Sequence, residues 1–115
     1  MPAQVREEAG AKLRRFCDKV LALHNGEEYR LEFTFRGMSA TLFEFRPPWA
    51  PHVLGPEWTK IPIAQFRYDP GTAIWTLYWA DRNSRWREDF ESNPSSKLDD
   101  LLADVEEDPT GVYWG

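Results

Sequence analysis

The segment that most constrains the fold is an alternation of large apolar and polar residues over positions 74–79, which resumes after a short polar break at 85–90. A period of two residues is typical of a β-strand with one buried face. Closing the break as a turn places Trp79 opposite Trp86, and loops of two or four residues give the same pairing. We therefore expect a hairpin in which Trp75, Trp79 and Trp86 share one dry face.

A second hairpin is predicted earlier in the chain, from the alternating residues 29–36 and 40–46. A three-residue loop between them places Phe33 opposite Phe43 and turns the phenylalanines inward. A two-residue loop would send Phe43 outward, so we take the three-residue loop. In that register Arg46 lies on the outer face.

A third strand is predicted over residues 61–68, between the two hairpins. Pro62 lacks a backbone donor and indicates that this strand begins at a sheet edge or a bulge. Residues 69–72 have the composition of a tight type II turn. Closing that turn pairs Phe66 with Trp75, on the same side of the sheet as the other tryptophans.

Helices are predicted at the two ends of the chain. Apolar residues recur every three or four positions over residues 2–24, which is typical of an amphipathic helix. Residues 96–99 have the pattern of a capping box that opens a second helix, and Pro109 ends it. The aromatic segment 110–115 is expected to dock on the sheet.

The fold class that follows is α+β. Residues 1–115 are expected to form a single domain, since 115 residues suffice for one core. We predict an N-terminal helix packed on the Trp/Phe side of an antiparallel meander sheet of about five strands, then a C-terminal helix and a docked tail.

The net charge of −5 is distributed unevenly. Residues 1–90 carry thirteen Lys and Arg against twelve Asp and Glu, whereas residues 91–115 carry only Lys97 against seven acids. Nucleic-acid binding depends on neutralising phosphates, so an acidic chain makes this kind of partner less expected. The nearly neutral first part still permits a local basic patch.

Cysteine and histidine content argues against metal and disulfide chemistry. Cys17 is the only cysteine, so no intramolecular disulfide forms, and it is interpreted as a buried hydrophobe rather than a reactive thiol. His24 and His52 are isolated, so no metal and no cofactor are expected. No signal peptide or membrane-spanning run is found, which predicts a cytoplasmic protein without a membrane partner.

Several segments together resemble a family of small bacterial proteins known as domain of unknown function 3024. The matching pieces are Leu42-Phe43-Glu44-Phe45-Arg46-Pro47-Pro48, Ile63-Ala64-Gln65-Phe66-Arg67-Tyr68, Trp75-Thr76-Leu77-Tyr78-Trp79, Arg85-Trp86 and Asp108-Pro109-Thr110-Gly111-Val112-Tyr113-Trp114-Gly115. Order and spacing match roughly from residue 29 to residue 115. The resemblance implies no activity that could be carried over.

The outer face of the predicted sheet is the candidate site. The expected outer residues are Arg30, Glu32, Arg36, Glu44, Arg46, Gln65, Arg67, Thr76, Tyr78, Arg85, Arg87 and Asp89. Among them Arg46, Arg67, Tyr78 and Arg87 are the candidate ligand-binding residues, because arginines beside a tyrosine can hold a carboxylate, a phosphate or a stacked base. The alternative is a solvated face joined by Arg–Glu and Arg–Asp pairs.

Three functional hypotheses remain open. The leading one is a non-enzymatic module that binds a protein, a peptide or an anionic ligand through this face or the loop around Trp49, with a homodimer as one version. A second is single-stranded nucleic-acid binding by Tyr78 and Trp49 beside arginines. A third is a small enzyme built on Glu44, Arg46 and Tyr68, although no catalytic constellation is recognised.

Overall fold

An antiparallel meander with two helices on one of its faces forms the part of the chain that the computed structural model describes, residues 1–23, 30–46 and 59–114. The elements are α1 Ala3–Leu23, β1 Arg30–Arg36, β2 Ser39–Arg46, β3 Thr59–Asp69, β4 Ile74–Ala80, β5 Trp86–Glu88 and α2 Leu98–Glu107. The strand order is β1-β2-β3-β4-β5. The predicted α+β class and the order of its elements are therefore confirmed.

One face of the sheet, here called the covered face, carries the core against both helices. Its buried residues are Leu31, Ala40, Leu42, Ile63, Ala64, Phe66, Trp75 and Leu77, and the helices add Ala9, Leu13, Phe16, Cys17, Val20, Leu98, Leu101, Leu102 and Val105. Removing this apolar area from water is the main force that holds the helices on the sheet. The prediction that the N-terminal helix packs on the Trp/Phe side is confirmed.

The opposite face is here called the open face, because neither described helix packs on it. Its residues, read from the strand registers, are Arg30, Glu32, Thr34, Arg36, Ser39, Thr41, Phe43, Phe45, Lys60, Pro62, Gln65, Arg67, Asp69, Ile74, Thr76, Tyr78, Ala80, Trp86 and Glu88. Directly paired residues of an antiparallel sheet share a face, so the register assigns each side chain to a side.

The predicted register of the first hairpin is wrong by one residue. The loop between β1 and β2 is the two-residue Gly37-Met38, with Gly37 at φ 58°, and Phe33 pairs with Leu42. A shift of one residue exchanges the two faces of a strand. Phe43 therefore lies on the open face, and Glu44, predicted outside, is buried on the covered face with 4% exposure.

The last hairpin also departs from its predicted register. Trp86 pairs with Ala80, so the loop between β4 and β5 has five residues, 81–85. Asp81 Oδ1 holds this loop by accepting the N–H groups of Asn83 and Arg85 at 2.9 and 3.0 Å. Trp86 is consequently on the open face, while Trp75 and Trp79 are on the covered face. The expectation that the three indoles share one side is wrong. Arg87, predicted outside, lies on the side of Trp79.

In β3 and β4 the side chains lie on the faces of the sheet predicted for them. Phe66 pairs with Leu77 rather than Trp75, a shift of two residues that preserves each strand's inward set. The turn between β3 and β4 is longer than predicted, and the residue with a positive φ in it is Ala73 rather than Gly71. A β-bulge opposite the Leu42–Phe43 step of β2 confirms the prediction drawn from Pro62.

The C-terminal helix and the residues after it pack as one unit. The predicted capping box is not formed, because Ser95 Oγ, not a Ser96 side chain, accepts the N–H of Lys97 at 3.0 Å. The helix ends where Asp108 adopts φ 44°, directly before Pro109, as predicted.

The tail docks as predicted. The carboxylate of Asp108 accepts the backbone N–H groups of Tyr113 and Trp114 at 3.1 and 2.9 Å. The Tyr113 side chain is buried, and the Trp114 indole N–H donates to the Val105 carbonyl at 2.8 Å. In the described residues no helix combines the length and apolar character needed to cross a membrane.

Candidate binding face

The structure divides the four candidate ligand-binding residues into two pairs. Arg67 and Tyr78 are neighbours on the open face, on adjacent strands β3 and β4. Arg46, at the end of β2, and Arg87, in β5, lie on the covered side. The candidate set is therefore two separate arrangements, and each must be judged on its own contacts.

Arg67 is stacked on Tyr78. Its guanidinium carbon lies 3.8 Å from the ring centroid, which is within cation–π distance. Arg67 Nε donates to Gln65 Oε1 at 2.7 Å, and Gln65 Nε2 donates to Thr41 Oγ1 at 3.0 Å. This chain of bonds crosses β2 and β3 and fixes the guanidinium over the ring. Four residues on three strands thus form one pre-oriented polar cluster.

The charge of Arg67 has no acidic partner among the described residues. The cluster uses Nε, so the two terminal nitrogens remain as donors in the fixed fork that suits a carboxylate or phosphate. The Thr41 hydroxyl accepts the bond from Gln65 and still has its own hydrogen to donate. The cluster is therefore equipped to hold a planar group rich in acceptor oxygens.

An aromatic patch adjoins this polar cluster on the open face. Phe43 and Phe45 on β2 are half-buried, and Lys60 Nζ lies 4.0 Å from the centroid of the Phe43 ring. Pro62 pairs with Phe43 and extends the apolar surface. Half-buried rings on a sheet face without a covering helix are a common feature of binding surfaces.

The arginines on the covered side are paired with carboxylates. Arg46 Nε lies 2.9 Å from Glu44 Oε1, and Arg87 Nε lies 2.9 Å from Asp81 Oδ2. The pKa of the Asp81 carboxyl is lowered, first by the backbone N–H of Arg85 and then by the Arg87 guanidinium. The charges of Arg46 and Arg87 thus stabilise local structure, which differs from the arrangement at Arg67.

The trio considered for an enzyme is not brought together. Glu44 and Arg46 are adjacent, but Glu44 pairs with Ile61 near the start of β3. Tyr68 lies seven residues further along β3, a distance of about 23 Å at the usual rise per residue. Its ring instead packs on Trp75, with centroids 4.9 Å apart.

Metal and thiol chemistry find no site in the described residues. Within residues 1–23, 30–46 and 59–114, no group of three His, Cys, Asp or Glu could hold a metal ion. Cys17 is buried in the core as predicted, and burial raises the pKa of its thiol to about 11. His24, His52 and Trp49 lie outside the described residues.

Sequence reasoning overlooked three contributors to the open face. The predicted register of the first hairpin turns Thr41 and Phe43 toward the covered face, and the predicted third strand begins after Lys60. The signal that could have found them is Gly37, because a glycine with positive φ is typical of two-residue hairpin loops. With that loop, β2 presents Thr41 and Phe43 beside β3.

Comparisons with known proteins place the chain in a family. The description "domain of unknown function (DUF3024)" matches residues 1–115, the whole chain. Comparison with curated proteins gives no match, and comparison with solved structures gives none either. The family's description names no activity, so function has to be argued from the geometry of the site. The chain belongs to the DUF3024 family, as the matching segments of its sequence predicted.

Proposed function

We propose that this protein is a non-enzymatic binding module that recognises its partner through the open face. The observation that carries the proposal is the stacking of Arg67 on Tyr78, with Gln65 fixing the guanidinium and no described carboxylate neutralising it. An arginine held in one orientation loses little conformational freedom when it binds, so more of the interaction energy appears as affinity.

The chemistry of the face favours a partner with an exposed carboxylate beside an apolar group. The carboxylate would meet the terminal nitrogens of Arg67 and the Thr41 hydroxyl, and the apolar group would cover Phe43 and Phe45. A protein or peptide provides both groups on one surface, and a second copy of this chain is one such protein. We place this interaction in the cytoplasm of a bacterium, where the lone Cys17 remains a thiol.

Arg46 and Arg87 have a secondary part in this proposal. Each could contact a ligand only in competition with its present carboxylate partner, Glu44 or Asp81. Arg67 and Tyr78 are therefore expected to contribute most of the binding energy, and Arg46 and Arg87 less.

Affinity purification with the full chain tests the proposal. Arg67→Ala and Tyr78→Ala should each lose the partners, or the self-association, that the wild-type protein shows in pull-down and sedimentation experiments. Arg6→Ala is the matched control, because Arg6 also stacks on a ring, Phe35 at 5.2 Å, but belongs to α1. If both open-face variants retain the partners and the oligomeric state, the proposal is wrong.

Single-stranded nucleic-acid binding is the second candidate, and the rings and cations of the open face favour it. The described strands of this face carry four cations, Arg30, Arg36, Lys60 and Arg67, against three acids, Glu32, Asp69 and Glu88, so its net charge is slightly positive. Half-buried rings among cations are suited to stacking bases. A gel-shift titration with oligothymidylate at low salt tests it, since binding should weaken steeply as salt rises. The absence of any shift at micromolar protein would exclude it.

A further inference from the structure

The free edge of β5 borders a cleft that the open-face proposal does not use. Its volume is about 620 Å³, and its lining includes Trp79, Trp86, Glu88, Phe90, Glu91 and Val112. Phe90 is 86% exposed, which is unusual for so large an apolar side chain. Because β5 is the last strand of the sheet, this cleft lies where another strand could be added.

The direction of the β5 backbone groups follows from its hydrogen bonds to β4. Asp81 N–H donates to the Arg85 carbonyl at 2.9 Å, and Asp89 N–H donates to the Leu77 carbonyl at 2.9 Å. In an antiparallel pair, alternate residues direct both backbone groups to the partner strand. The N–H and C=O groups of the residues between, Trp86 and Glu88, therefore point away from β4. No described strand lies beyond them.

Side chains from both faces of the sheet line this cleft. Trp79 belongs to the covered face, while Trp86 and Glu88 belong to the open face. The cleft thus extends around both sides of the β5 backbone, as a site for an extended chain requires. A strand added there would direct alternate side chains toward Trp79 and toward Trp86.

The charge of the cleft is acidic. Glu88 and Glu91 line it, and no lysine or arginine of the described residues forms an ion pair with either. Arg87 and Asp89 also line the cleft, but both are engaged within the protein, because Arg87 pairs with Asp81 and Asp89 accepts the Tyr113 hydroxyl at 2.7 Å. Carboxylates beside aromatic side chains are the surroundings that favour an arginine or lysine, through both charge and ring contacts.

We propose that the edge of β5 binds an extended basic peptide segment, which adds to the sheet as a sixth strand. The peptide backbone pairs with Trp86 and Glu88. Its arginine or lysine side chains approach Glu88 and Glu91 with their stems along Trp86 and Phe90. This site adjoins the open-face cluster around Arg67, because Glu88 pairs with Tyr78, but it uses the edge of β5 and selects a partner of opposite charge.

Nuclear magnetic resonance with the isotopically labelled full chain tests the site. The probe is the pentapeptide acetyl-Val-Arg-Val-Arg-Val-amide, with two matched controls. One control carries citrulline in place of both arginines, and the other is N-methylated on alternate backbone nitrogens. We expect saturable chemical-shift changes in the backbone amide signals of Trp86 and Glu88 and in the indole N–H signals of Trp79 and Trp86. The citrulline peptide should bind about fivefold more weakly, and N-methylation should abolish binding.

Variants of the protein separate the charge contribution from the ring contribution. The double substitution Glu88→Gln with Glu91→Gln should lower the affinity for the probe peptide about fivefold. The single substitution Phe90→Ala should lower it by about the same factor. Glu32→Gln is the matched control, an exposed glutamate on β1 at the opposite edge of the sheet, and should leave affinity unchanged. Arg67→Ala should also leave it unchanged, which distinguishes this site from the open face.

Several outcomes would overturn the proposal. Equal binding of the citrulline peptide would show that charge does not select the partner, and equal binding of the N-methylated peptide would exclude strand addition. Shifts confined to β1, or no saturable shift at millimolar probe, would show that the cleft does not bind a basic segment.

Discussion

The two faces of the sheet use arginine in opposite ways. On the covered side, Arg46 and Arg87 are each held 2.9 Å from a carboxylate, and one of those carboxylates, Glu44, is buried. On the open face, Arg67 is held by a ring and an amide, and no described carboxylate neutralises it. Residues that look equivalent in sequence therefore have different roles once the register assigns each to its side.

The difference shows how a charged residue can be recognised as structural or as available for binding. A buried carboxylate needs its partner, because an uncompensated charge in the core is costly. An exposed guanidinium on a tyrosine needs no partner, since water solvates its remaining donors. The covered side should thus be sensitive to substitution in stability, and the open face in binding.

The largest expected difference in stability is between substitutions of two adjacent β2 residues whose side chains lie on opposite faces of the sheet. Leu42→Ala should reduce the free energy of unfolding by about 3 kcal/mol, because Leu42 is 0% exposed in the core. Thr41→Ala, one residue earlier and on the open face, should cost less than about 1 kcal/mol. Urea denaturation measures both. Equal losses would mean that the open face is packed as tightly as the covered face.

The next effect concerns the arginines themselves. Arg46→Ala should destabilise the fold by about 2 kcal/mol, because the Glu44 side chain, 6% exposed, would lose its cation. Arg67→Ala should cost less than about 0.5 kcal/mol, since nothing buried depends on its charge. Urea midpoints of the two variants decide the point. A larger loss for Arg67→Ala would assign that residue to structure rather than to binding.

A smaller effect is expected where the tail meets the last hairpin. Tyr113→Phe should lower the free energy of unfolding by about 1 kcal/mol, because the buried hydroxyl donates to Asp89 Oδ2 at 2.7 Å. Tyr68→Phe is the matched control, whose hydroxyl forms no hydrogen bond with the described residues. Thermal unfolding of both variants measures the difference. Similar losses would show that the hydroxyl of Tyr113 does not hold the tail.

The last predicted effect is absent at neutral pH and appears only in alkali. Burial raises the pKa of the Cys17 thiol from 9.0 to about 11, so the folded protein keeps the proton that the unfolded chain loses. The stability that the thiol contributes is complete below pH 9 and is lost between pH 9 and about pH 11. Urea midpoints across this interval should fall more steeply for the wild type than for Cys17→Ala. Parallel curves would contradict the shift.

Hydrophobic periodicity was enough to predict the elements and their order. The stripe that forms α1, the alternation in each strand and the aromatic tail all predicted the observed structure, because burial of apolar residues dominates element formation. The faces on which the side chains of β3 and β4 lie were also predicted correctly. The observed pairing is shifted by two residues from the predicted one, and an even shift leaves each side chain on the same face of the sheet. Arg67 and Tyr78 were thus placed on the correct face.

The two outer hairpins could not be predicted from periodicity because each loop differs by one residue. In β2 the pattern favours Phe43 inward, yet the fold buries Glu44, which pairs with the exposed Arg46, and places Lys60 over the Phe43 ring. In the last hairpin the side chain of Asp81 organises a five-residue loop. Both choices depend on polar side-chain contacts, Glu44 with Arg46 and Asp81 with Asn83 and Arg85, which an apolar pattern does not encode. They moved Arg46 and Arg87 off the open face.

The β-bulge of β3 has a consequence for length variation among relatives. Ile63 and Ala64 are consecutive and both buried, so the inward positions before the bulge are odd-numbered and those after it are even-numbered. A homologous chain that lacks Ile63 would lose the bulge and return to regular alternation, with Ala64 inward, Pro62 outward and Ile61 inward as before. A single deletion at the bulge should therefore leave the polar and apolar pattern of positions 59–62 unchanged, whereas a single deletion elsewhere in the strand would require that pattern to reverse.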